Sequence, residues 1–224
     1  MRGTTTMGGA TGYGGSSLGG GASSFGGGAS SFGGASAMNT MGGGAMGGAS
    51  GGKSTSDLAD LRPNLVVTLD PSLHFYDYGG SPSFSGQIET LQAFDAPNFV
   101  SQVLNQPGQN KVLFIDGGGM NPGMGAVFDG AMATTALRNG WRGVIVHGMV
   151  RNAAQLKTQN FGVKALGTSP IKGKGAMGQK GVAVSVGSTQ VQPGWWVYAD
   201  ADGVLMSQQD ISGGSFGEAA LPLF

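Results

Sequence analysis

"VLFIDGGGMNPGMGAVFDGAMATTALRNGWRGVIV", residues 112–146, decides the fold. It opens on Val112-Leu-Phe-Ile115, a continuous apolar run suited to a strand covered on both faces. Asp116-Gly-Gly-Gly119 ends that run. Val127, Phe128, Ala131, Met132, Ala136 and Leu137 then recur at spacings of three and four, which predicts an amphipathic helix over residues 124–139. Arg138 near its end and Gly140 just beyond it supply the stop signal. Val144-Ile-Val146 is a second buried strand. Strand, helix and strand within about 35 residues make a βαβ crossover, expected to be right-handed.

Working outward, Ser54–Asp60 predicts a short helix with Ser56-Asp57 as cap residues. Leu65–Leu69 is β-prone, and Phe75–Gly80 is a loop rich in aromatics and glycine. Phe84–Leu91 alternates as a strand does, Asn98–Leu104 suits a short helix, and Gln106–Asn110 is a turn by composition. Downstream, a short helix over Ala153–Gln159 leads to Val163–Leu166. The rest is β-like: Val182–Val186, Thr189–Val191, Trp195–Tyr198 and Val204–Ser207, with a tight hairpin at Asp202-Gly203. The expected class is α/β, a central βαβ crossover followed by a C-terminal antiparallel β portion.

The 224-residue chain carries 12 basic and 12 acidic residues, so net charge does not mark it as a nucleic-acid or membrane binder. It has no cysteine, which excludes disulfides and thiolate metal sites. No apolar run approaches the roughly 20 residues needed to span a membrane. Residues 1–53 form a low-complexity tail of Gly, Ser, Ala and Met, in which GASSFGG at 21–27 recurs at 28–34. Such composition buries too little apolar surface to order by itself. The tail reads either as a tether or as a segment that orders when it docks on a partner. Its Ser/Thr-rich, acid-poor character resembles a transit peptide, but the apolar core of a signal peptide is missing, and the cytoplasm is the default. Residues 54–211 form the folded domain, and 212–224 a loose C-terminal tail.

Several residues could carry chemistry. The Gly117, Gly118 and Gly119 loop precedes a helix, so its amides could cradle an anion; a tight strand-to-helix turn is the other reading. The loop is neither a Walker loop nor a dinucleotide fingerprint. Arg151 follows the next strand, at the sheet edge where ligands usually bind. Its guanidinium suits a small carboxylate such as pyruvate, or else a structural ion pair or subunit contact. His147 either lines the same cleft or packs beside it, and Asp200 and Asp202 flank the hairpin turn. Between Gly130 and Tyr198 lie eight basic residues and no acidic one, either solvated lysines or a surface for an anionic partner.

"VLFIDGGG", "NGWRGVIVHGMVRN", "FGVKALGTSP" and "VQPGWWVYADADGVLMS" occur in the order and spacing of the RraA-like family, the regulators of ribonuclease E activity. "SFSGQIETLQAF" resembles the family's early strand, and the resemblance covers roughly residues 60–210. It implies a swivelling β/β/α domain that assembles as a homotrimer. Some members are divalent-metal aldolases acting on 4-hydroxy-4-methyl-2-oxoglutarate, with oxaloacetate decarboxylase side activity. Others are non-catalytic regulators of an RNA-degrading endonuclease.

In the catalytic members, an arginine holds the substrate carboxylate and the aspartate after it anchors Mg²⁺ or Mn²⁺. Arg151 matches the arginine, but Asn152 stands at the metal position and Gln155 at the following acid. Asp129-Gly130 reverses the family's Gly-Asp pair at the start of the central helix. The resemblance therefore implies a degenerate metal site at Asn152. The loop amides of Gly117, Gly118 and Gly119, read from the residues themselves, join Asp129, Gly130, Ala131, Met132 and Arg151 as candidate ligand-binding residues, with Arg151 and Asp129 as the catalytic candidates. A non-catalytic regulatory or assembly protein with no cofactor and an unknown protein partner is the first expectation. A metal-dependent lyase using Asp129 or Asp116 as its anchor, with Mg²⁺ or Mn²⁺, is the alternative. Direct nucleic-acid binding is not expected.

Overall fold

The computed structural model describes residues 52–213, and the expectations for residues 1–51 and 214–224 lie outside them. The element order is α1 (Thr55–Leu61), β1 (Val67–Thr68), β2 (Tyr76–Asp77), β3 (Phe84–Gln92), α2 (Pro97–Leu104), β4 (Val112–Asp116), α3 (Gly130–Arg138) and β5 (Gly143–Val150). There follow α4 (Ala153–Lys157), β6 (Gly162–Thr168), β7 (Gln179–Lys180), β8 (Val184–Val186), β9 (Thr189–Val191), β10 (Trp196–Asp200) and β11 (Gly203–Ser207). One mixed sheet runs β1-β11-β10-β3-β4-β5-β6-β2, with β7 paired to β3 and a separate β8–β9 hairpin.

Strands β3, β4, β5 and β6 are parallel neighbours, and β10, β11, β1 and β2 join antiparallel. The apolar run of β4 is buried at every position because both faces are covered. Leu113 and Ile115, with Val144 and Val146 of β5, share one core with residues of α2 and α3. Phe114 and Ile145 share the other with Val184, Val186 and Val191 of the hairpin and with Val197 and Met206.

Two local expectations need correction. The first helix is capped by Ser54, not by the Ser56-Asp57 pair. Asp57 donates its amide to Ser54 Oγ and accepts the Ser54 amide in return, a capping box. The hairpin carboxylates then tie this helix down: Asp200 accepts the Thr55 amide and hydroxyl, both at 2.7 Å, and Asp202 accepts the Ser56 hydroxyl at 2.8 Å. The second correction concerns residues 124–139, where the helix starts only at Gly130. Val127 and Phe128 are buried. The Val127 amide donates to the Met149 carbonyl, and the Phe128 carbonyl accepts the Arg151 amide. Backbone groups taken by a neighbouring strand cannot join a helical ladder, so coiling waits for Asp129.

Asp95 clasps three loops together. Its carboxylate accepts the Gly125 amide at 2.7 Å and the Lys174 amide at 3.0 Å, and its carbonyl accepts the Gly175 amide at 2.6 Å. Its φ of 53° lies in the left-handed region, where a non-glycine residue is held only by its surroundings. Burial works to raise its carboxyl. The amides of Lys174, Gly125 and Gly175 outweigh burial, and the group titrates below its ordinary value.

At the far edge, the Lys164 ammonium, 1% exposed, sits 2.9 Å from Asp77 Oδ1 across the β2–β6 pairing. That oxygen has no aligned hydrogen-bond donor, so Coulomb attraction carries the contact.

Asp77→Ala, which strands a buried ammonium, is expected to destabilise the fold by about 3–5 kcal/mol. Lys164→Met removes the buried charge and keeps the volume, so it costs less; urea midpoints of the two variants measure the order. A carboxyl depressed on folding contributes stability above its unfolded value, about 3.9, and loses it as pH falls through the folded value. Asp95→Asn keeps one acceptor oxygen and the group is partly solvated, so it should cost about 1 kcal/mol at neutral pH. Thermal melts should show that gap narrowing below about pH 4.

Candidate functional site

Arg151 follows the last residue of β5, and a bridge between Phe128 and Val150 brings Asp129 beside it. The guanidinium Nε donates to Asn152 Oδ1 at 3.1 Å and lies 3.8 Å from Asp129 Oδ2, a loose ion pair. Among the described residues its terminal nitrogens have no hydrogen-bond partner. Two parallel N–H donors are thus presented, with the side chain about one-third exposed at 32%. This geometry suits a carboxylate held in two bonds.

Asp129 is also the cap of α3. Its Oδ1 accepts the Met132 amide at 3.0 Å, while Met132 itself is buried and Ala131 is exposed on the first turn. Gly130 is the contact point for α4. The side chain of Gln155 lies where a Cβ on Gly130 would sit, and Gln159 Nε2 donates to the Gly130 carbonyl at 2.8 Å. Asn152 adopts a left-handed conformation, φ 56°, and makes no side-chain cap.

The structure thus brings together Asp129, Gly130, Met132, Arg151 and Asn152. The Gly117–Gly119 amides face inward instead. Gly117 and Gly119 both donate to the His147 carbonyl, at 2.9 and 3.1 Å, and Gly118 donates to Asp116 Oδ1 at 3.1 Å. An anion cradle built from these three amides is not what this loop forms, because each is already bonded within the protein. The sequence offers His147 and Asp116 separately, and the structure pairs them. His147 Nδ1 lies 2.9 Å from buried Asp116 Oδ1, on adjacent strands where the two residues are paired in register. A histidine and an aspartate each ending a predicted buried strand were the available signal.

A cavity of about 530 Å³ lies apart from these residues, between α1 and the β10–β11 hairpin, with Leu69, His74 and Leu205 among its lining.

The sequence pattern of the RraA-like family (aldolase/RraA) matches residues 55–206, most of the chain. This chain belongs to the RraA-like family. A protein of Shewanella oneidensis provisionally named 4-hydroxy-4-methyl-2-oxoglutarate aldolase is 40% identical over 157 residues, 70% of this chain and 93% of that one. A Hahella chejuensis protein with the same provisional name is 36% identical, over 70% of this chain and 94% of its own length. The RNA-processing inhibitor RraA from Thermus thermophilus superposes with a TM-score of 0.66 at 36% identity, covering 72% of this chain and 96% of that one. A Geobacillus kaustophilus structure described as S-adenosylmethionine:2-dimethylmenaquinone methyltransferase gives 0.67 at 34% identity, covering 71% and 97%.

The donor set beside Arg151 does not fit the divalent ion that the resemblance implies. Mg²⁺ takes hard oxygens, normally with one or two carboxylates. In this RraA-like chain Asn152 offers a neutral oxygen already bonded to Arg151. Asp129 offers a carboxylate shared between a helix start and a guanidinium.

Asp129→Ala should cost about 1 kcal/mol through the lost cap. Asp129→Asn keeps a capping oxygen while removing the charge that competes for Arg151. Calorimetric titration with pyruvate should show the Asn variant binding about fivefold more tightly than wild type.

Proposed function

We propose that this RraA-like protein is a non-catalytic regulatory or assembly protein, acting through protein–protein contacts and keeping a carboxylate-binding cleft at Arg151. The observation that carries this reading is the neutral side chain of Asn152 bonded to the Arg151 guanidinium. In aldol cleavage a metal stabilises the developing enolate as a Lewis acid, and its seat needs fixed negative charge. A guanidinium with two open donors needs none to hold a carboxylate.

The resemblance implies a homotrimer, and the residues before the domain are a candidate docking segment. Lys172 and Lys174 lie exposed on the loop that Asp95 clasps. An acidic partner segment complements them better than a basic RNA-binding region does.

The second reading is a metal-dependent lyase on small oxo acids. Relatives provisionally named as aldolases favour it, as does a carboxylate, Asp129, close to Arg151.

Oxaloacetate decarboxylation and pyruvate-releasing aldol cleavage, assayed with Mg²⁺ and Mn²⁺, separate the two. The proposal expects background rates in wild type and metal-dependent turnover in an Asn152→Asp/Gln155→Glu double variant, which puts an acid back at both neutral positions. Robust wild-type turnover that disappears in Arg151→Ala would refute it.

A further inference from the structure

The pair of Asp116 and His147 has no part in the Arg151 cleft as described, and it is built more tightly. Asp116 is 5% exposed, and its Oδ1 accepts from both the Gly118 amide and the ring. The His147 carbonyl is held by two further amides of the same loop, those of Gly117 and Gly119. Every polar group of His147 that points into the loop is therefore committed. Among the described residues Nε2 alone has no partner, and the side chain keeps 16% of its surface open. A Cβ on Gly119 would stand 3.5 Å from that nitrogen. With glycine there, at φ 74°, the ring edge stays uncovered.

In the neutral ring, a carboxylate beside Nδ1 selects the tautomer that carries its proton there, leaving Nε2 with a lone pair. A side chain fixed in this way is an acceptor, so it recognises a ligand that donates. The pair sits at the C-terminal end of β4 and β5, the edge where open α/β sheets bind ligands. Arg151 lies four residues further along the chain, within about 13 Å of extended backbone.

We propose that His147, oriented by Asp116, is a second ligand-contacting group whose Nε2 accepts a hydrogen bond from a hydroxyl, so that this edge takes a hydroxycarboxylate in preference to its deoxy counterpart. The hydroxyl contact stands on the Asp116–His147 geometry alone. The carboxylate part rests on the Arg151 reading above.

The chain has two histidines, so long-range proton–nitrogen NMR of the full-length labelled protein resolves both rings, and His147→Gln assigns them. The neutral His147 ring is expected as the Nδ1–H tautomer. Millimolar L-malate should then shift its Nε2 resonance, and succinate, which lacks only the hydroxyl, should not. Malate should bind about fivefold to tenfold more tightly than succinate. His147→Gln should erase that preference; the wild-type comparison stands even if this variant does not fold.

In Arg151→Ala, loss of both ligands supports the carboxylate reading. Survival of the malate shift there overturns the carboxylate reading and leaves the His147 contact standing. A proton on Nε2 at neutral pH, or a resonance that malate leaves unmoved or that succinate moves equally, overturns the proposal for His147.

Discussion

Asp129 is the charge on which the rest of the site depends. Its carboxylate does two things at once: one oxygen starts α3, and the other balances the Arg151 guanidinium. Both partners are positive, one a full charge and the other the partial charge of a helix N-terminus. Little negative potential is left over for a divalent cation. Asn152 adds an oxygen without adding charge, and it too is turned toward Arg151. The balance beside Arg151 thus leans positive, which favours an anion and disfavours Mg²⁺.

That balance is set by the scaffold rather than by the site residues alone. The buried parallel strands fix where β4 and β5 end, and the bridge of Phe128 to Val150 fixes where α3 begins. Asp95 holds the loop that connects them, drawing the 125, 174 and 175 amides to one residue. Asn152 holds its left-handed position just after β5 within this frame. Gly130 and Gln155 show how the space is reused: an exposed amide side chain lies where a larger residue's Cβ would sit.

The parts of the fold that follow from local chemistry were legible in the sequence. The all-apolar run of β4, the crossover to β5 and the hairpin near Asp202 needed only periodicity and turn residues. The start of α3 was misread because Val127 and Phe128 fall at helical spacing, although they are buried by pairing with the end of β5. Asp129 before Gly130 was the readable cap signal against that reading. Arg151 and Asp129 are candidates through the family pattern, and the structure places them 3.8 Å apart. The Asp116–His147 pair was not legible, because it depends on the register of two strands 31 residues apart in sequence. The inward turn of the Gly117–Gly119 amides was hidden for the same reason: only the tertiary structure says which carbonyl lies opposite them.

The central claim is electrostatic: the ground beside Arg151 lacks the fixed charge to seat a divalent ion. Titration of Mn²⁺ into the full chain with pyruvate present, followed by the paramagnetic signal of the free ion, tests it most directly. The account predicts that the free signal stays undiminished through the micromolar range and into the millimolar. A stoichiometric bound fraction that is lost in Asp129→Asn would contradict it.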